Sequence, residues 1–261
     1  MFPTALFATC IAVQAQSAAS FSRPQRATVL GRRDASAIIE MANVVSASGS
    51  YHRLSASGSI AMGATENQSG THPCRIEISG TGFWRMDVDD ASEFRSIRIS
   101  PNGQKIQRRA DSAPEDLPAI NKLLGPAPFA RFMRDWKSGP GEIVDSGLVE
   151  ISSGQRHQIG IDIPLLENSS AGTESLSIPV SVYIDPASHA LRELVYSPDV
   201  NDGAGPLIVD SFSEYRLFKG VLLPTRLQEA VDGQVLWTVT VTSWAVDDEL
   251  PGNNFEFDGV K

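Results

Sequence analysis

The sequence predicts an α+β protein in which one large, curved antiparallel β-sheet is covered on one face by short helices. Two observations predict this class. The last third of the chain consists of long period-two runs joined by tight polar turns, which is typical of antiparallel strands. Three other segments carry apolar residues at helical spacing, which is typical of amphipathic helices. A half-closed sheet needs helices to cover its apolar face, whereas a closed barrel does not.

The N-terminal segment predicts export. Residues 2–15 are apolar or small and carry no charged side chain, and Ala15 stands where a signal peptidase cuts. We therefore expect a signal peptide at 1–15 and a flexible lead-in at 16–33, although a basic start is missing. The segment is too short and too polar for a membrane span. A lipid-modified Cys10 is an alternative that the preceding residues fit poorly.

The first helix follows the lead-in. Asp34 offers an N-cap, and Ile38, Met41 and Val45 recur at helical spacing. This helix begins the single domain that we expect at 34–261.

Two more helices are predicted in the middle of the chain. A capping box at 112–115 begins the first, and Gly125 ends it. The second helix spans 128–137 and is expected to form an apolar lid, because four of its side chains share one stripe. They are Phe129, Phe132, Met133 and Trp136.

The remaining segments predict strands. Three turns have strong turn chemistry: the one at 101–103, the one at 185–189, and Asp232-Gly233, where both residues tolerate positive φ. The predicted strands span 51–62, 75–79, 83–89, 94–99, 105–108, 142–151, 156–163, 177–184, 191–196, 212–218, 222–230 and 235–244.

Period-two alternation assigns side chains to faces. In the last strand Val235, Trp237 and Val239 share the apolar face. In an early strand the apolar row consists of Trp84, Met86 and Val88. Arg85 points away from this row, so either the row or the arginine faces the interior.

Composition excludes several functions. The formal charge of -9 argues against nucleic-acid binding and against attraction to anionic lipid head groups. Hydrophobic content of 41% and charged content of 20% are ordinary for a soluble globular protein. We expect a monomer without a stable membrane span. Its interactions with lipid should be apolar or mediated by partner proteins.

No catalytic or metal-binding motif is evident. The four histidines show no metal-ligand spacing, and the pair His72 and Cys74 falls short of a site. A Gly-x-Ser-x-Gly elbow and a phosphate-cradling glycine loop are both missing. The carboxylates from Asp87 to Asp90 stand at a strand end, where acids often mark a turn. We therefore expect no enzyme activity, no cofactor and no metal.

The order and spacing of several segments across residues 35–257 resemble the LolA/LolB-type lipoprotein carrier superfamily, which also includes MucB/RseB-like periplasmic sensors. The segments that carry the resemblance are Gly82-Phe83-Trp84-Arg85-Met86-Asp87, Val182-Tyr183-Ile184-Asp185-Pro186, Ser211-Phe212-Ser213-Glu214-Tyr215-Arg216, Gly220-Val221-Leu222-Leu223-Pro224 and Leu250-Pro251-Gly252-Asn253-Asn254-Phe255-Glu256-Phe257.

The resemblance implies an incomplete, half-closed barrel of about eleven antiparallel strands with helices over its apolar concave face. It implies a periplasmic, non-catalytic carrier of lipoprotein acyl chains or lipid, in which Arg85 matches an arginine that latches the lid. The chain is longer than that carrier and has no clear match to its lid sequence. The alternative is a periplasmic sensor of the MucB/RseB type that binds envelope partner proteins on the same fold.

Overall fold

The computed structural model describes residues 53–62, 70–79, 84–89, 96–100, 103–107, 113, 115–116, 143–151, 154–164, 177–197 and 205–246. These residues form fifteen strands and no helix. The strands are β1 Arg53–Met62, β2 Thr71–Ser79, β3 Trp84–Val88, β4 Ser96–Ser100, β5 Gly103–Gln107, β6 Glu115–Asp116, β7 Val144–Ile151, β8 Gly154–Pro164, β9 Ser177–Ile184, β10 Leu191–Tyr196, β11 Ile208–Ser213, β12 Arg216–Phe218, β13 Val221–Leu223, β14 Arg226–Val231 and β15 Gln234–Val246.

Thirteen strands form one antiparallel sheet, and β12 and β13 form a separate hairpin. The order in the large sheet is β6-β5-β4-β3-β2-β1-β15-β14-β11-β10-β9-β8-β7. Strand β1 therefore pairs with β15, so the two ends of the described chain meet in the middle of the sheet. The outer strands β6 and β7 do not pair with each other, so the described sheet is open. The predicted antiparallel sheet is confirmed.

Period-two alternation predicted the bounds of some strands closely, but it predicted one continuous strand in two places where the structure has two. The bounds of β9 and β10 agree with the prediction. The predicted strand at 212–218 is broken, because Glu214 takes a positive φ of 53° and ends β11. The predicted strand at 222–230 is broken at Pro224, which has no N–H to donate. The large sheet has thirteen described strands, where the resemblance implied about eleven.

The predicted capping box at 112–115 is wrong at its last residue. Glu115 belongs to strand β6 and aligns with Ile106 of β5. The free edge of β5 supplies unpaired backbone groups, and pairing with them competes with a helical turn. The rest of that helix and the helices expected at 34–45 and 128–137 lie outside the described residues, so helical cover remains a prediction.

One face of the large sheet is apolar and almost entirely buried, which is consistent with a curved sheet. We call it the apolar face. Backbone register aligns its side chains from strand to strand. Its buried hydrophobic residues are Leu54, Ala56, Ile60, Cys74, Ile76, Ile78, Trp84, Met86, Val88, Ile159, Ile161, Ile178, Val180, Val182, Ile184, Leu191, Leu194, Tyr196, Ile208, Phe212, Leu227, Trp237, Val239, Val241, Trp244 and Val246.

A β-bulge keeps the long strand β15 in phase with this face. The register shifts between Ser57 and Gly58 of β1, so that Ser57 aligns with Ser243 and Gly58 with Val241. A Cβ at Gly58 would lie 2.1 Å from the backbone oxygen of Thr240. Only glycine permits this close approach of the two strands.

Two hairpin turns follow the chemistry that the sequence predicts. Asp232 and Gly233 both have positive φ, at 49° and 79°, as a two-residue hairpin turn requires. At the tip between β9 and β10, Asp185 Oδ1 accepts hydrogen bonds from the backbone N–H groups of Ala187 at 3.1 Å and Ser188 at 2.8 Å. Both turns are confirmed.

Candidate functional site

The early apolar row lies on the apolar face. Trp84 is 0% exposed, and Met86 and Val88 are buried with it. Trp84 aligns with Ile78 across the sheet, and Met86 aligns with Ile76. Strand β3 therefore extends the apolar face toward one edge of the sheet, as the alternation predicted.

The last strand contributes most of its predicted row to the same face. Trp237 and Val239 are buried there, and Val239 aligns with Ile60 of β1. Val235 does not join them. The register shifts in β14–β15 so that Val235 aligns with Ala230 on the opposite face, while Trp237 aligns with Glu229. The assignment of Val235 is corrected, because an extra residue in β15 reverses the alternation.

Arg85 points away from the apolar row. Its side chain is partly buried and forms an ion pair with Asp87, with Nε 2.6 Å from Oδ2. The two residues share the face opposite Trp84. Arg85 therefore does not line the apolar face, and the lid that it would latch lies outside the described residues.

The four expected lid residues also lie outside the described residues. They are Phe129, Phe132, Met133 and Trp136. Their contact with a ligand stays a prediction.

Two acidic side chains interrupt the apolar face near its centre. Asp210 on β11 aligns with Glu229 on β14, and both belong to one row with Trp237 and Leu194. Asp210 is 2% exposed and Glu229 is 0% exposed. A carboxyl pair is therefore held in register among apolar side chains, where an ionised group is costly.

Burial raises the pKa of Asp210 well above its ordinary value, and the neighbouring charge of Glu229 raises it further. The hydroxyl of Tyr196 lies near enough to oppose this shift. The side chains of Tyr196 and Glu229 both interact with this carboxyl group. Asp210 therefore holds its proton to a higher pH than an ordinary aspartate does.

The strands around this pair carry few cations. Strands β10, β11, β14 and β15 contain two arginines and no lysine. Arg192 lies 3.5 Å from Asp185 at the hairpin tip. Arg226 aligns with Ser213 and Thr240 on the opposite face.

The opposite face shows how this sheet ordinarily buries an acid. Glu77 Oε1 lies 3.2 Å from Arg53 Nη2 and 2.9 Å from Arg75 Nε. Glu77 and Arg53 are both buried. The buried acid has two cationic partners here.

Sequence reasoning missed Asp210 and Glu229, although a local signal was present. Ile208, Asp210 and Phe212 alternate along β11, so that an acid occupies an apolar position of a period-two pattern. The predicted strand began at residue 212 and left Asp210 out.

One further candidate group is the thiol of Cys74. Burial raises the pKa of the Cys74 thiol to about 12. This buried thiol lies inside β2, on the apolar face. Among the described residues, no three His, Cys, Asp or Glu side chains cluster closely enough to hold a metal ion. No helix in the described ranges is long and apolar enough to cross a bilayer.

Comparison with solved structures shows a LolA-like fold. A LolA superfamily protein from Nitrosomonas europaea superposes with a TM-score of 0.55 at 14% identity, covering 86% of this chain and 98% of its own. An outer membrane lipoprotein-sorting protein domain from Vibrio parahaemolyticus, named as such only provisionally, superposes with a TM-score of 0.55 at 12% identity, covering 85% of this chain and 97% of its own. A DUF1329 family protein from Desulfovibrio piger superposes with a TM-score of 0.58 at 9% identity, covering 87% of this chain and 99% of its own. No protein-family model and no curated protein matches the sequence.

Proposed function

We propose that this protein is a non-catalytic carrier of the bacterial periplasm that shelters acyl chains of a lipoprotein or lipid against its apolar face. The observation that carries the proposal is the apolar face itself, which runs from β3 through β1 and β15 to β8. Its LolA-like fold supports the assignment, and so does the export signal expected at 1–15.

The energetics favour an apolar ligand. Each methylene group removed from water stabilises a complex by about 0.8 kcal/mol. A chain of about ten sheltered methylenes therefore contributes roughly 8 kcal/mol before the costs of binding. A surface ion pair contributes at most about 1 kcal/mol, so an acidic protein can hold lipid without a basic patch.

The proposal also assigns the lid. Phe129, Phe132, Met133 and Trp136 would close over the chain, while Trp84, Met86, Val88, Trp237 and Val239 would line the sheet side. The function requires no cofactor, because the ligand is handed on without a chemical step.

Binding of a fluorescent fatty acid tests the proposal. We expect saturable binding to the full chain and displacement by unlabelled palmitate. Trp136→Asp should weaken binding at least about tenfold, because a charge in the lid opposes contact with a hydrocarbon chain. The matched control is Leu217→Asp, since Leu217 is 69% exposed on the separate β12–β13 hairpin.

Circular dichroism would establish that both variants are folded. Absence of saturable binding to the folded wild type would refute the carrier. A copurifying envelope protein without lipid would instead indicate the sensor function.

A further inference from the structure

Two arginines converge on one aspartate at the tip of the β9–β10 hairpin. Arg156 Nη1 and Arg192 Nη2 each lie 3.5 Å from Asp185 Oδ2. The three side chains are partly shielded from solvent, and that of Arg192 is the most accessible, at 28% exposure. We call these three residues the tip cluster. Its two cations and one acid leave an excess of positive charge on a chain whose formal charge is -9.

Asp185 is bonded more closely to the turn than to the arginines. Its Oδ1 accepts hydrogen bonds from the backbone N–H groups of Ala187 at 3.1 Å and Ser188 at 2.8 Å, and from Ser188 Oγ at 2.9 Å. Charge-assisted hydrogen bonds between nitrogen and a carboxylate usually span about 2.7–2.9 Å, so the two contacts of 3.5 Å are long. The turn therefore explains Asp185, but it does not explain two guanidinium groups.

An aromatic ring positions Arg192. The guanidinium carbon of Arg192 lies 5.5 Å from the centroid of the Tyr215 ring. The Tyr215 hydroxyl donates a hydrogen bond to the backbone oxygen of Leu191, which fixes the ring beside the arginine. Arg192 Nε is buried and has no hydrogen-bond partner among the described residues. Buried polar atoms are normally hydrogen-bonded, so this donor requires an explanation.

The donors of the tip cluster outnumber the acceptor atoms of Asp185. Each guanidinium carries five N–H donors in a planar fork, and Arg156 donates from Nη1 to the backbone oxygen of Gln155 at 2.6 Å. Such forks match the oxygens of a phosphate or a carboxylate. Two forks around one point favour phosphate, because its three or more acceptor oxygens can receive bonds from both arginines.

We propose that Arg192 and Arg156 bind a phosphate group at the tip of the β9–β10 hairpin, with Tyr215 positioning Arg192. The phosphate is supplied either as a free anion or as the head group of a lipid. The lipid source rests on the proposed carrier function, and Arg192 directly follows Leu191 of the apolar face. The negative charge of the whole chain disfavours anion binding elsewhere on the surface.

Isothermal titration calorimetry with inorganic phosphate, at pH 7 and low salt, tests the site on the full chain. We expect saturable binding to the wild type. Arg192→Gln should weaken this binding about tenfold or more, since a hydrogen bond to a charged group is worth about that factor. Arg192→Lys keeps the charge but loses the fork, and it should weaken binding about threefold or more.

Arg75→Gln is the matched control. It removes the same charge from β2, where the side chain of Arg75 is 53% exposed. Strand β2 lies on the other side of the sheet from β9 and β10. Phosphate affinity should therefore change by less than about twofold, because exposed charges so far apart are largely screened.

Asp185→Asn separates a binding site from an ion cluster that only stabilises the hairpin. Asparagine keeps an acceptor oxygen for the turn and removes the negative charge beside the arginines. Phosphate should therefore bind this variant about threefold or more tightly than the wild type, because a like charge no longer repels it. Unchanged or weaker binding to the folded variant would count against the site.

Two ligands of equal chain length, dodecyl phosphate and dodecanol, identify the source of the phosphate. Both are used below their micelle-forming concentrations. Dodecyl phosphate that binds about tenfold more tightly than inorganic phosphate, and that Arg192→Gln weakens, would support the site and assign it to a lipid head group. Equal affinities would support the site and assign it to a free anion. Dodecanol reports on the apolar face alone.

The outcomes distinguish this inference from the proposed function. Absence of phosphate binding to the folded wild type would overturn the site, and so would binding that both Arg192 variants leave unchanged. Saturable binding of dodecanol would leave the carrier standing in either case. Phosphate binding without dodecanol binding would support the site and count against the carrier. If Arg192→Gln does not fold, the ranking of the wild type, Arg192→Lys and Asp185→Asn still decides.

Discussion

Replacing Gly58 by alanine should destabilise the protein more than any conservative exchange on the surface of the sheet. The added Cβ would lie 2.1 Å from Thr240 O, 2.9 Å from Val241 Cα and 3.0 Å from Thr240 C. All three contacts involve backbone, so no flexible side chain can move aside, and β1 and β15 must separate. Overpacking typically costs about 1–3 kcal/mol, and a backbone clash of this depth places Gly58→Ala at about 3 kcal/mol or above.

The assay is equilibrium unfolding in urea, with the transition midpoint and the slope fitted together. The matched control is Gly160→Ala in β8, where a Cβ would lie 3.7 Å from the nearest atom, an ordinary contact with Val144. Alanine there restricts the unfolded chain without a clash and should change stability by less than about 1 kcal/mol, in the stabilising direction. A Gly58→Ala variant within about 0.5 kcal/mol of the wild type would refute the assigned β1–β15 register.

Three further perturbations test the buried polar groups. The folded-state pKa of Asp210 is raised above 3.8, so this group stabilises the fold at low pH and loses that contribution as pH rises through its folded pKa. In thermal melts, the stability of Asp210→Asn relative to the wild type should therefore increase from pH 4 to pH 8. A difference in stability that does not change with pH would contradict the burial of the pair. Glu77→Ala should cost about 3 kcal/mol in urea unfolding because it removes the buried carboxylate that pairs with buried Arg53, whereas Arg75→Ala should cost less than about 1 kcal/mol, and equal costs would contradict the ion-pair assignment. Cys74, with its pKa raised to about 12, should resist iodoacetamide at pH 8 until denaturant is added, and rapid labelling of the native protein would contradict its burial.

Local pattern was sufficient to predict much of the sheet. Strands β9 and β10 have the predicted bounds, because period-two alternation and the Asp185 turn are both encoded within a short window. The apolar row of β3, and that of β15 apart from Val235, were likewise evident from alternation. Such features depend on a residue and its near neighbours in sequence.

Features that depend on strand pairing were not predictable in the same way. Val235 changed face because of a register shift between β14 and β15. Glu115 entered a strand because β5 offered a free edge. The meeting of Asp210 with Glu229 depends on the register between β11 and β14, with a hairpin inserted between them. None of these three pairings is encoded within a single segment.

Tryptophan quenching by brominated stearate tests most directly whether a hydrocarbon chain lies against the apolar face. Trp84, Trp237 and Trp244 are buried on that face, and bromine quenches an indole ring only at close contact. We predict saturable quenching by brominated stearate, none by stearate itself, and a smaller effect in a Trp237→Phe variant. Saturable stearate binding without any quenching by its brominated analogue would place the chain elsewhere and contradict the account.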